Sequence, residues 1–358
     1  MLRGGREPRL FIIDAEVTME PISLVITSAV PVPPAALAQI QAVDARLQIA
    51  VIPEAQRPFL RTGKGGDPAS EARALANTLS KAEILFSAYE LPADLLRRAP
   101  RLKWVHIVAA GVERWVGAGF LEQDGLIFTS GQGPTAQPIA EYILMTMLML
   151  AKNAPSYVRQ QEGRQWQGHG GAEVNGKTLG IVGLGTIGSA AARLAKAVGC
   201  RVVAVRRSVQ EARENVEGVD RLLPARELPR LLAESDFVAL CAPSTPETKH
   251  LIDAAALRRM KPSAFLINIA RGSLIDEAAL VAALKDGEIA GAALDVFEPE
   301  PLSPESELWG LPNVLITPHV SNASERFARR ASELFIDNLG RYLRGEPLRN
   351  VVSREKGY

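Results

Sequence analysis

Three polar residues stand where apolar runs end: Arg271 in NIARGSLID, Glu300 in DVFEPEP and His319 in ITPHVSN. At the carboxyl edge of a parallel α/β sheet such positions converge, because strands distant in sequence lie side by side and ligands bind in the crevice beyond them. Their chemistry is complementary. An arginine holds a carboxylate or polarises a carbonyl, a histidine moves a proton near neutral pH, and a carboxylate orients the imidazole and stabilises its charged form. Each also has an ordinary structural use, with Arg271 capping a loop, Glu300 sitting in a proline-rich acidic turn and His319 lying on a rim. The other histidines are weaker candidates: His106 falls in an apolar strand, His169 in a glycine-rich loop and His250 in a charged turn. No spacing suggests a metal site.

A second constellation is GLGTIG, with Gly183, Gly185 and Gly188 directly after an apolar run and before an alanine-rich stretch. In that setting each glycine serves a separate purpose. The first makes the tight turn, the second lets backbone amides approach a pyrophosphate at a helix N-terminus, and the third permits close packing on the strand. The pattern reads as a dinucleotide site. An NAD-specific site places Asp or Glu about twenty residues further on, where it accepts from the ribose hydroxyls. Arg206 occupies that strand end here, followed by Arg207 and Ser208. Guanidinium groups grip a 2′-phosphate that a carboxylate would repel. The sequence therefore predicts NADP(H), with NAD(H) as the alternative if the two arginines are solvated surface residues.

Two series of β and α elements must position these groups. From Leu24 to Ser130, the runs SLVIT, LQIAVI, AEILFSA, LKWVHIV and LIFTSG alternate with helix-like stretches such as PPAALAQIQAV and DPASEARALANTL. From Thr178 the runs TLGIVG, RVVAVR, DFVALCAP, AFLINIA, GAALDVF and VLITPH follow, apolar enough to form a parallel sheet covered on both faces. The helix Glu277–Lys285 is bounded by Asp276 as N-cap and Gly287 just past its end. After Ser321 comes an amphipathic helix, then a polar tail. Residues 61–68, RTGKGGDP, lack phosphate-loop spacing and read as a loop.

Composition narrows the class. A chain of 358 residues that is 47% hydrophobic has a length prior of roughly two domains. Its 41 basic and 40 acidic residues, net +1, create no field favouring nucleic acid or membrane, which leaves a small-molecule partner. Cys200 and Cys241 each lie in or beside an apolar strand and read as buried thiols, in keeping with a cytoplasmic protein. The apolar run 10–13 is too short for a signal peptide, and the run 143–151 is about half of what spans a bilayer, so it reads as a buried helix with Pro138 in its first turn and Pro155 ending it.

The stretches GKTLGIVGLGTIG, PSTPETKHLI, NIARGSLIDEAALVAALKDGEIAGAALDVFEPEPL and LPNVLITPHVS occur in an order that resembles the D-2-hydroxyacid dehydrogenase family, over most of the chain and more loosely before Leu102. The resemblance implies an α/β protein of two domains, a doubly wound Rossmann cofactor domain at 130–319 inserted in a flavodoxin-like substrate domain made of 1–129 and 320–358, with 1–20 a loose tail. It makes Arg271, Glu300 and His319 the catalytic trio and lets the amides of Gly111 and Val112 hold a substrate carboxylate. The expected cofactor contacts are Gly183, Gly185, Thr186, Ile187, Gly188, Arg206, Arg207, Ser208, Ala242, Pro243, Ala270 and Asp295, the last on the nicotinamide carboxamide. The arginine at 206 is similar to the NADPH-using glyoxylate and hydroxypyruvate reductases, so reduction of a small 2-oxo acid to a D-2-hydroxy acid is expected. The alternatives are an NAD-linked enzyme for a phosphoglycerate-like acid and a nucleotide-sensing corepressor. Members commonly form two-fold dimers; the helix over 139–151 with the arm after it is a candidate contact, its apolar length being equally compatible with intramolecular core, and Trp166 in that arm is a candidate visitor to the substrate pocket, with solvent-facing packing as the alternative.

Overall fold

The computed structural model describes residues 20–27, 32–52, 68–87, 91, 94–112, 115, 119–120 and 123–353. The loose tail expected at 1–20 and the loop at 61–68 lie outside them, apart from Glu20 and Pro68, which opens a helix.

Two parallel sheets organise the chain. The first contains β1 (Ile22–Ile26), β2 (Leu47–Val51), β3 (Ile84–Ser87), β4 (Trp104–Ile107) and β5 (Ile127–Thr129) in the order β2-β1-β3-β4-β5. Every neighbouring pair is parallel, which requires crossovers, among them α1 (Pro34–Gln41), α2 (Pro68–Lys81) and the short α3 (Leu95–Arg98). This is the flavodoxin-like order.

The second sheet has eight strands. They are β6 (Thr178–Val182), β7 (Arg201–Arg206), β8 (Arg213–Val216), β9 (Val219–Pro224), β10 (Phe237–Leu240), β11 (Phe265–Asn268), β12 (Gly291–Leu294) and β13 (Val314–Ile316). Their order is β13-β12-β11-β10-β6-β7-β9-β8, parallel except for the edge hairpin of β8 and β9. Strand order reverses between β6 and β10, the topological switch point of a Rossmann sheet. The central strands are apolar because both faces are covered: β6, β10 and β12 are buried at every position.

On one face of this sheet lie α4 (Ala136–Ala151) and α6 (Thr186–Ala197), joined to it in one hydrophobic core with Leu179, Ile181 and Ala239. On the other, α7 (Leu228–Glu234), α8 (Ala254–Leu257) and α9 (Glu277–Lys285) pack with Val203, Val238 and Leu266. Asp276 caps α9 as the sequence predicts, its carboxylate accepting from the Ala279 N–H, and Gly287 follows with φ +71°. Pro155 has a different place from the one expected. It sits in the first turn of α5 (Ala154–Glu162), where a missing N–H costs nothing, so it starts a helix and α4 ends at Ala151 unaided.

The last helix, α10 (Phe327–Leu343), returns to the first sheet. Phe335 stacks on Phe86 with ring centroids 4.2 Å apart and on Trp104 at 5.3 Å. Within the segment 344–353 that follows it, Val351 bridges to Thr129 and the Val352 N–H donates to the Phe128 carbonyl. No described helix is long and apolar enough to cross a membrane.

Candidate active site

A cleft of about 680 Å³ opens where loops from the two sheets face each other. One wall is the segment Val108 to Val112 after β4, and the other is formed by the carboxyl ends of β6, β10 and β11 with the loops after β12 and β13. Gly111, Val112, Gly185, Thr186, Ile187, Ala242, Pro243, Ala270, Arg271, Glu300 and His319 all line it. Gly183, Gly188, Arg206, Arg207, Ser208 and Asp295 do not.

The imidazole of His319 meets Glu300 through Nδ1, 2.8 Å from Oε2. The second oxygen, Oε1, accepts from the Phe297 N–H at 3.1 Å, which fixes the carboxylate. With Nδ1 engaged, Nε2 is the nitrogen left for a ligand in the cleft. Both side chains are partly exposed, so the pair contributes orientation more than stability. Arg271 lines the same cleft, its Nη1 donating to the carbonyl of Ala270 at 2.6 Å. Its turn is held by buried Asn268, whose side chain accepts from the Ala270 N–H and donates to the Arg271 carbonyl. Gly272 completes the turn by close approach: a Cβ there would lie 2.0 Å from the carbonyl carbon of Phe297.

His319 has a left-handed backbone, φ +55°, a conformation that a non-glycine residue holds only when its surroundings impose it. Asp295 imposes it. Its main-chain oxygen accepts from the His319 N–H at 2.8 Å, and its carboxylate accepts from the N–H groups of Val320 (2.8 Å) and Ser321 (2.9 Å) and from the Thr317 hydroxyl (2.5 Å). Thr317 in turn pairs with the Tyr142 hydroxyl at 2.6 Å. Burial pushes the Tyr142 phenol up to about 12, with the Asp295 charge acting in the same direction, so it remains protonated. Asp295 is fully buried, and its carboxylate partners here are the His319 turn. The motif position of Asp295 was readable in the sequence, whereas this clamp, with Thr317 and Tyr142, was not. Tyr142 lies 175 residues from Thr317 and no local pattern links them.

The glycine turn fits a dinucleotide. Gly183 has φ +103°, and a Cβ there would lie 2.8 Å from the Cys241 and Ala242 backbone. A Cβ on Gly188 would come within 2.4 Å of the Gly183 carbonyl, so α6 lies tight on β6. At Gly185 a Cβ would meet nothing within 4 Å, and this residue begins α6 with no side-chain cap. Its first N–H groups thus face open cleft, as a pyrophosphate cradle requires.

Arg206 lies at the end of β7 as expected, but its guanidinium is engaged: Nη1 and Nη2 donate to the two carboxylate oxygens of Glu217 at 2.5 and 2.8 Å. Arg207 is close enough for its charge to act on Glu247, in the loop after β10. Among the remaining candidates, His106 is fully buried and desolvation holds its pKa down near 3. His169 pairs with Gln160 outside the cleft. Burial pushes the Cys241 thiol up to about 12, which removes it as a nucleophile. Among the described residues no group of His, Cys, Asp and Glu is placed to hold a metal ion.

Residues 144–321 match the family described as D-isomer specific 2-hydroxyacid dehydrogenase, NAD binding domain. The chain is 38% identical over 274 residues to a glyoxylate reductase of Korarchaeum cryptofilum, covering 74% of this chain and 80% of that protein. Among solved structures it is similar to a D-isomer specific 2-hydroxyacid dehydrogenase from Xanthobacter autotrophicus, in complex with NADPH and MES. That likeness has TM-score 0.76 and 32% identity over 94% of this chain and 100% of the other. The NADPH-dependent glyoxylate/hydroxypyruvate reductase of Sinorhizobium meliloti, in complex with NADP and sulfate, gives 0.75 and 27% over 94% and 100%. Two parallel sheets, a glycine turn at the switch point and an Arg, Glu and His meeting in one cleft agree with these matches, and the chain belongs to the D-isomer specific 2-hydroxyacid dehydrogenase family.

Proposed function

We propose that this protein reduces a small 2-oxo acid, glyoxylate or hydroxypyruvate first, to the D-2-hydroxy acid with NADPH, NADH being the alternative coenzyme. The observation that carries the reading is the His319–Glu300 pair at 2.8 Å in the same cleft as Arg271 and the uncapped start of α6. Similarity to the glyoxylate reductase and to the two NADPH- or NADP-bound structures supports it.

Gly185, Thr186 and Ile187, at the uncapped start of α6, would hold the coenzyme's pyrophosphate, and the bound coenzyme would supply the hydride from its nicotinamide. The amides of Gly111 and Val112 and the guanidinium of Arg271 bind the substrate carboxylate and turn its carbonyl towards Nε2 of His319. His319 gives its proton to the carbonyl oxygen as negative charge develops there, while Arg271 stabilises that charge. Glu300 holds the ring and stabilises the imidazolium. Ala242, Pro243 and Ala270 line the cofactor side, and Arg206, Arg207 and Ser208 lie at the strand end where a 2′-phosphate would bind.

In this reading 130–319 is the cofactor domain and 1–129 with 320–358 the substrate domain, an assignment favoured by the return of α10 to the first sheet. A homodimer is proposed through α4, α5 and the following arm, where Met145, Leu148, Tyr157, Val158 and Trp166 are exposed apolar side chains. The cytoplasm is the proposed location, on two free cysteines.

The test is an initial-rate assay with glyoxylate and hydroxypyruvate, each with NADPH and with NADH. Faster turnover with NADPH supports the whole reading. Equal or better rates with NADH overturn the coenzyme assignment, and silence with both overturns the reductase reading in favour of another acid or a binding protein.

A further inference from the structure

The end of β7 raises a problem that the glycine turn does not. A 2′-phosphate needs the forked edge of a guanidinium, yet in Arg206 both terminal nitrogens of that edge already donate to Glu217. Glu217 does not belong to the strand-end motif. It stands at the tip of the β8–β9 hairpin, between Val216 and Val219, which pair across the two-residue turn.

The hairpin makes this placement specific. Glu217 and Gly218 have φ +54° and +79°, the conformation of a turn that favours Asn-Gly. Glutamate at its first position is a poor backbone choice, so its side chain must justify it. The hairpin is itself tethered: Arg221 on β9 donates to Glu214 on β8 and to Glu234 on α7. From this tip the Glu217 carboxylate reaches the Arg206 fork. Arg206 is held from one side only, because its Nε is buried with no partner among the described residues. The charge of Arg207 acts on Glu247, in the loop after β10.

We propose that Glu217 is a specificity-determining residue for the coenzyme, an internal competitor that a 2′-phosphate must displace from Arg206, and that it limits the preference for NADPH over NADH. The inference rests on the NADP reading of Arg206. A phosphate carries close to two negative charges and three strong acceptors, so it outcompetes a carboxylate for the guanidinium fork but must first push Glu217 away. A ribose that ends in neutral hydroxyls makes no such demand. The ion pair thus weakens binding of the phosphorylated coenzyme selectively, through both the occupied donors and like-charge repulsion.

The experiment is equilibrium titration of the full chain with NADPH, NADH and 2′,5′-ADP, followed by fluorescence, for wild type, Glu217→Gln, Arg206→Gln, the double variant and Arg207→Gln. Gln preserves the size of the side chain and its backbone cost while removing the charge. The expected result is that Glu217→Gln tightens NADPH and 2′,5′-ADP about two- to fivefold, the scale of a partly exposed ion pair, with NADH unmoved. The gain should shrink in high salt and vanish when Arg206 is Gln. If Glu217→Gln leaves the NADPH Kd unchanged, or weakens it, while Arg206→Gln still raises it, the competitor role is overturned and Glu217 only orients its arginine. If neither Arg206→Gln nor Arg207→Gln alters the NADPH Kd, the NADP reading itself falls, and the inference with it.

Discussion

The main-chain oxygen of Asp295 accepts the His319 N–H at 2.8 Å while its side chain binds the next two amides, so a buried aspartate sets the backbone from which the candidate proton donor projects. The strain of a left-handed histidine is offset by four hydrogen bonds that one residue accepts, three of them on its carboxylate.

Asp295→Asn keeps the shape and removes the charge, and its NH2 is forced against donors. We expect kcat to fall by at least about tenfold and stability by about 1–3 kcal/mol, the cost of a buried donor left unmatched. Urea denaturation and steady-state rates read the two effects separately. Unchanged kcat would mean that His319 reaches its position without the clamp.

His319→Ala should lower turnover by about 10²–10⁴, the usual contribution of a positioned acid or base, and leave the Kd for the coenzyme where it was. A variant that turns over normally removes His319 from the mechanism.

Gly272→Ala tests the join between the arginine turn and the loop bearing Glu300. The added carbon would lie 2.0 Å from a backbone carbon of Phe297, and backbone on both sides leaves little room to yield. Loss of activity with a lowered Tm is the expected outcome, and a fully active variant would show that the two loops separate freely.

The sequence announced the motif residues because their signals are local. GLGTIG and the ends of three apolar runs can be read within a few positions, and near-continuous apolar strands made the second sheet legible. The β8–β9 hairpin was missed for the opposite reason: β8 reads RENV, polar and largely exposed, and so lacks an apolar period. The partners of the site were missed because they are distant, as with Tyr142 and Thr317. The acid that faces Arg206 was hidden in the same hairpin that the pattern concealed.

His106 provides a pH signature. In the unfolded chain the imidazole titrates near 6.5, but in the fold desolvation holds it near 3. Between these values the unfolded state binds a proton that the native state refuses, so this contribution is complete above pH 6.5 and is lost as pH falls towards 3, with a slope of about 1.4 kcal/mol per pH unit. Chemical denaturation across that range should show a shallower loss for His106→Gln than for wild type. Parallel curves would mean that the ring is hydrated in the native state.

The return of α10 to the first sheet has a consequence for biosynthesis. Phe86 and Trp104 leave the ribosome more than two hundred residues before Phe335, the ring that stacks on both. The cofactor sheet, whose strands and covering helices lie between 136 and 316, has its whole sequence available first. The nascent chain therefore carries a completed nucleotide-binding half beside an earlier-made half with its aromatic face still uncovered, and release of the C-terminal segment is the event that closes it. A nonsense mutation shortly before Phe327 would leave that face permanently open, making the truncated product a substrate for chaperones and proteases even with every strand of its cofactor sheet in place.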